Sequence, residues 1–270
     1  KSISMTNIGI ETMATLINFN DTNKLLLTKQ PSLFIDLASK DWIASANQAI
    51  KQRGAFYVAL SGGKTPLEIY KDIVINKDKL IDPSKIFLFW GDERLAPITS
   101  SESNYGQAMS ILRDLNIPDE QIFRMETENP DGAKKYQELI ENKIPDASFD
   151  MIMLGLGEDG HTLSLFSNTS ALEEENDLVV FNSVPHLETE RMTLTFPCVH
   201  KGKHVVVYVQ GENKKPILKS VFFSEGREEK LYPIERVGRD RSPLFWIISP
   251  ESYDIADFDN ISSIYKMDIL

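Results

Sequence analysis

The chain has 270 residues, of which 41% are hydrophobic and 26% charged, enough apolar material for one or two cores of an ordinary globular protein. Its formal net charge of -11 speaks against broad binding to nucleic-acid phosphates, which needs a basic face, although a small anion requires only a few local cations and amides. No apolar run approaches the ~18 residues that span a bilayer, so no membrane role is expected.

The opening residues, Lys1 to Asn7, lack the apolar core of a secretory signal. Cys198 is the single cysteine and has no internal disulfide partner. Both observations fit the cytoplasm, and Cys198 reads as a small buried apolar residue. Lys1 is an unusual first residue, so a further upstream piece is expected. The four histidines and one cysteine show neither C-x-x-C nor H-E-x-x-H spacing, and no metal site is expected.

Up to about residue 30 the signals are weak, with Leu25-Leu26-Leu27 as a short strand. Apolar residues at helical period, including Phe34, Leu37, Trp42, Ala46 and Ile50, predict a long amphipathic helix over 32–53. A strand over 55–60 follows and stops at Ser61-Gly62-Gly63-Lys64-Thr65-Pro66. Thr65 as N-cap, Pro66 at the first helical position and Glu68 two residues on match a capping box. Free N–H groups at such a helix start attract an anion, a phosphate above all, though a capped turn that binds nothing has the same pattern. Gly63-Lys64-Thr65 fails as a nucleotide-triphosphate loop, because Val58 stands where that motif has its first glycine.

The run Ile86 to Trp90 is a buried strand that meets Gly91-Asp92-Glu93-Arg94. Arg94 suits a phosphate or carboxylate, or else the three charges pair among themselves in a solvated loop. Ser103 or Asn104 caps a helix reaching 112–115, and another helix spans 130–143. The next strand, 149–154, breaks at Gly155-x-Gly157-x-x-Gly160, with His161 on a segment able to start a helix. A strand end of this kind is where an open α/β sheet places ligands, and His161 occupies the position of a catalytic base. A tight glycine turn or a dinucleotide fingerprint also fits the spacing.

Strands are expected over 178–181, 191–196, 204–211 and 244–248, with Lys214 or Lys215 beside a strand end at the start of a helix and a polar tail closing the chain. Alternating strands and helices predict an α/β fold, an open, mostly parallel sheet with helices on both faces, in one domain over 1–270.

Together Ser61-Gly62-Gly63-x-Thr65-Pro66, Gly91-Asp92-Glu93-Arg94, Ser103-Asn104-Tyr105, Leu154-Gly155-x-Gly157-x-Asp159-Gly160-His161-Thr162-x-Ser164-Leu165-Phe166, Arg191-x-Thr193 and Gly211-x-x-Lys214 resemble the 6-phosphogluconolactonase family, within the wider glucosamine-6-phosphate isomerase superfamily. The resemblance covers about 30–250 and implies a Rossmann-like sugar-phosphate fold. It implies hydrolysis of 6-phospho-D-glucono-1,5-lactone, the second step of the oxidative pentose phosphate pathway, without metal or organic cofactor. His161 would be the general base, acting as a neutral imidazole, with Asp159 orienting it or serving only as a turn residue. Ser61, Gly62, Gly63, Lys64, Thr65, Asp92, Arg94, Arg191 and Lys214 would form the substrate and phosphate site. The expected partner is a small sugar-phosphate lactone, with the chain a monomer or weak homo-oligomer.

Departures from the family pattern at Leu163, Ser167 and Lys64 leave that chemistry intact. The nearest alternative is a glucosamine-6-phosphate deaminase, whose aspartate base would align with Asp92. That family has a glutamate soon after its Gly-His pair, and 162–169 contain no acid. A sensor that binds sugar phosphates without turnover is a further alternative, one with no use for His161.

Overall fold

The apolar run Met151–Leu154 is buried along its whole length, which requires protein on both faces and strands on both sides. The computed structural model supplies both; it describes residues 13–224, 230–237 and 243–259, and the backbone of 265–269. The chain opens with β1 (Ala14–Asn20), β2 (Asn23–Thr28), α1 (Pro31–Arg53), β3 (Phe56–Leu60) and α2 (Lys64–Ile75). It continues with β4 (Ile86–Trp90), β5 (Asp92–Arg94), α3 (Asn104–Leu112), α4 (Gly132–Lys143) and β6 (Met151–Leu154). Next come β7 (Val179–Val184), β8 (Thr189–Leu194), α5 (Phe196–His200), β9 (His204–Val209) and α6 (Lys215–Phe223). The last elements are β10 (Leu244–Ile248), α7 (Ile255–Asp259) and β11 (Tyr265–Ile269).

Eight strands form the main sheet in the order β11-β1-β2-β10-β9-β6-β3-β4. From β2 to β4 all neighbours run parallel, while β1 is antiparallel to both β2 and β11. Register shows how both faces are covered. Ala59 pairs with Phe89 and lies three residues from Phe56, so Phe56 and Phe89 point to opposite faces. Trp42 of α1 packs edge-on against Phe56 at 5.2 Å, whereas Tyr136 of α4 meets Phe89 at 6.0 Å. Helices therefore lie on both faces of a mostly parallel sheet, as the alternation predicts.

From β3 the chain moves outward to β4, then returns to β6 on the other side of β3 and continues to β9 and β10. The reversal opens a crevice beyond the carboxyl ends of β3 and β6, the place where such sheets bind ligands. Both glycine loops of the sequence lie there.

Several expectations need correction. Asp92–Arg94 is a short strand, which joins β8 and β7 in a separate antiparallel sheet of order β5-β8-β7. The 185–187 turn between β7 and β8 is too short for a parallel crossover, so these strands form a hairpin outside the main sheet. No helix follows His161: Gly160, Leu163 and Asn168 have positive φ (81°, 53° and 62°), and 155–169 is a chain of turns. At the edge, β1 and β11 escaped the sequence reading because neither is a long apolar run. The closing segment, polar in sequence, contains α7 and β11.

Cys198 is buried, and burial pushes its thiol up to about 12, in keeping with a packing role. The reading of Lys1 to Asn7 lies outside the described residues. Among those described, no helix is long and apolar enough to cross a membrane.

Phe56 is fully buried between the sheet and Trp42. Phe56→Ala is expected to lower stability by about 3–5 kcal/mol, seen as a lower urea midpoint at unchanged slope. Ile75→Ala, at a site 76% exposed, should stay within about 0.5 kcal/mol.

Candidate active site

The loop leaving β6 is shaped around one imidazole. A Cβ on Gly157 would lie 2.0 Å from His161 Nδ1 and 2.5 Å from Asp159 Oδ1, so only glycine lets the backbone approach this pair. Asp159 Oδ1 stands 2.5 Å from His161 Nδ1 and also accepts the His161 N–H at 3.1 Å. An ionised carboxylate can only accept, so Nδ1 carries the hydrogen, which in a neutral ring leaves the lone pair on Nε2. Burial opposes ionisation of Asp159, but the His161 ring and N–H outweigh it and hold its carboxyl below the usual range. Phe166 stacks against the ring, with centroids 4.1 Å apart.

Further hydrogen bonds fix the loop. Thr162 Oγ1 donates to Gly155 O at 2.8 Å, and the fully buried Ser164 donates its hydroxyl to Asp92 Oδ2 at 2.7 Å. Ser164 N–H donates to Thr193 Oγ1 at 3.2 Å, and Asn182 Nδ2 donates to Ser164 O at 2.9 Å. The histidine loop is thus fastened to β5, β7 and β8.

That small sheet also carries two cations. Arg94 and Arg191 are direct cross-strand partners, and Asp92 pairs with Thr193 two residues away. With the two-residue period of strands, all four share one face, the pairs about 7 Å apart. Like charges opposite one another are unfavourable. Burial first, then the adjacent Arg94 charge, lowers the pKa of Arg191. Both Nε atoms are buried without a hydrogen-bond partner among the described residues, while Arg94 Nη1 donates to Glu102 O at 3.0 Å. Two guanidinium groups with spare donors suit an oxyanion.

At the end of β3, Gly63 adopts φ 100° and caps α2. The first N–H groups of that helix have no carbonyl a turn earlier. Gly62 lies against Asn104, where a Cβ would come within 1.9 Å of Oδ1. Ser61 is held by Tyr70, whose hydroxyl accepts its N–H at 3.0 Å and donates to its carbonyl at 2.6 Å. Thr65 is not the N-cap predicted from the capping-box pattern: the helix already begins at Lys64, and Thr65 Oγ1 donates to Gln210 Oε1 at 2.8 Å. Lys64 is exposed. Lys214 Nζ donates to Leu156 O at 2.6 Å, against the loop that carries His161.

Asp92 is only 7% exposed, and its carboxylate is occupied by Ser164 and by Asn104. Glu93, 3% exposed, receives the N–H groups of Arg94, Asn104 and Tyr105 and ties β5 to the start of α3. Burial raises its pKa, with those N–H groups acting in the opposite sense. The sequence residues at this carboxyl edge therefore divide into the His161–Asp159 pair, the Arg94–Arg191 pair and the Gly62–Gly63 helix start, with Asp92 between. Sequence reasoning passed over Asn104, Ser164, Thr193 and Phe166 as site elements. They lie inside the quoted motifs, but nothing in their spacing shows that they touch.

A family model described as glucosamine-6-phosphate isomerases/6-phosphogluconolactonase matches residues 29–246. The chain belongs to this family. A 6-phosphogluconolactonase of Chlamydia muridarum is 52% identical over 95% of this chain and 100% of its own length. Another 6-phosphogluconolactonase, from Nostoc, is 34% identical over 76% of this chain and 87% of its own. Among solved structures, that of 6-phosphogluconolactonase from Leishmania guyanensis has a TM-score of 0.73 at 25% identity, covering 87% of this chain and 98% of that one.

Within this member of the family, Gly157→Ala is expected to push the imidazole off Asp159, seen as shifted His161 ring resonances in NMR, while leaving the urea midpoint little changed. The Asp159 carboxyl, followed by carbon-13 NMR, should titrate below the ordinary aspartate range in the wild type and move upward in His161→Ala, because burial and the main-chain N–H remain while the ring donor is lost. A carboxyl depressed by folding adds stability above its unfolded pKa, and this contribution fades as pH falls through the folded value.

Proposed function

We propose that the chain hydrolyses 6-phospho-D-glucono-1,5-lactone to 6-phospho-D-gluconate, as the names of its relatives indicate. The observation that carries this reading is the histidine loop, with Nδ1 committed to Asp159 and no partner to Nε2 among the described residues, anchored on the small-sheet face that bears two arginines with donors likewise unused there. Such a site suits a substrate with an electrophilic carbon at one end and a dianion at the other.

In the proposed reaction a water oxygen attacks the lactone carbonyl carbon as His161 Nε2 takes its proton. The carbonyl electrons move onto oxygen, giving a tetrahedral intermediate. When the carbonyl re-forms, the bond to the ring oxygen breaks, and that oxygen takes the proton back from the imidazolium. Asp159 stays ionised throughout and offsets the transient positive charge on the ring. At the far end Arg94, Arg191 and Lys214, with the Ser61–Thr65 loop at the head of α2, hold the phosphate, so remote binding energy positions the reacting carbon. The deaminase alternative loses support at Asp92, whose two oxygens already accept hydrogen bonds. The same reading has the chain act as one domain in the cytoplasm, as a monomer or weak homo-oligomer.

The test is hydrolysis of freshly generated 6-phosphogluconolactone, coupled to 6-phosphogluconate dehydrogenase and corrected for the spontaneous rate. His161→Asn is expected to lose roughly 10²–10⁴-fold. A wild-type rate no higher than background would overturn the reading and turn attention to glucosamine-6-phosphate deamination. Retained ligand binding without turnover in the wild type would instead mark a sensor.

A further inference from the structure

Asp92 is a buried carboxylate with no ion-pair partner within 4.0 Å among the described residues, yet it links the histidine loop to the glycine loop. Through Oδ2 it accepts from Ser164, three residues beyond His161 in the histidine loop. Through Oδ1 and its main-chain oxygen it accepts from Asn104 Nδ2, at 3.3 and 3.0 Å, and the Asn104 amide lies against Gly62 of the glycine loop. On its own strand it is two residues from Arg94 and shares that residue's face.

We propose that Asp92 is a positioning residue: through Ser164 and Asn104 it sets the distance between the anion-holding end of the site and His161 Nε2. The inference rests on the lactonase reading and deepens it. Remote binding of a phosphate accelerates chemistry only if the two ends of the site are held in register, and small misplacements of the reacting atoms are expensive. What this role demands of Asp92 is the shape of its hydrogen bonds. Its negative charge is dispensable, because an asparagine can accept from Asn104 through Oδ1 and donate to Ser164 Oγ through Nδ2.

Three variants test this, D92A, D92N and S164A, by kcat and KM on 6-phosphogluconolactone alongside thermal midpoints. D92A and S164A are expected to lose about 10–100-fold in kcat with KM changed far less, since the phosphate contacts remain. D92N should recover most of the loss. The proposal is overturned if D92N is as impaired as D92A, which would mean that the charge itself acts. It is equally overturned if S164A matches the wild type, or raises KM at unchanged kcat. Should D92A fail to fold, the contrast between S164A and D92N decides the matter. A wild-type rate at background overturns the lactonase reading and this one together, whereas the variant patterns overturn this one alone.

Discussion

A parallel sheet buried on both faces leaves almost no room for polar side chains, and this constraint organises the protein. Strands such as Met151–Leu154 and Leu244–Ile248 are nearly continuous apolar runs, because helices cover them above and below. Polar chemistry is confined to the strand ends. Where the strand order reverses, between β3 and β6, two such ends diverge and leave a crevice with helix-start N–H groups on one side and the histidine turn on the other.

Around that crevice the molecule tolerates arrangements unfavourable for folding alone. Arg94 faces Arg191 across a strand pair, each with a buried Nε left without a partner among the described residues. Glu93 is buried among N–H groups, and Asp92 is buried among neutral donors. An unpaired buried donor loses its water without replacement, and clustering such groups in one place is a mark of a site prepared for a ligand. The small β5-β8-β7 sheet provides the rigidity: it presents the arginines on one face and receives the histidine loop on the same face.

How much could be read in advance depended on the range of the interaction. Local signals served well. The helix over 32–53 appears as Pro31–Arg53, and Ser103 caps α3 by accepting the Gly106 N–H at 3.0 Å. His161 and Asp159 are two residues apart, and the family resemblance of their loop implied either that Asp159 orients the ring or that it is only a turn residue; the hydrogen bond between them favours the first. The capping box at Thr65 failed because a tertiary partner, Gln210, competes for the hydroxyl, and the helix begins two residues earlier, with Gly63 as its cap. The helix expected after His161 failed because the hydrogen bonds of Ser164 to β5 and β8 hold the chain in left-handed turns at Leu163 and Asn168.

The sequence by itself determined the class of fold and the strand ends at which the glycine loops lie, since apolar period and glycine placement act over a few residues. Only the tertiary structure decided that Asp92-Glu93-Arg94 is a strand, that Arg94 meets Arg191, and that Asp92 links loops carrying Asn104 and Ser164. Those contacts join residues between 10 and 100 positions apart, and no local pattern encodes them. They arise when the strands find their register, because the two-residue period of a strand then fixes which side chains share a face.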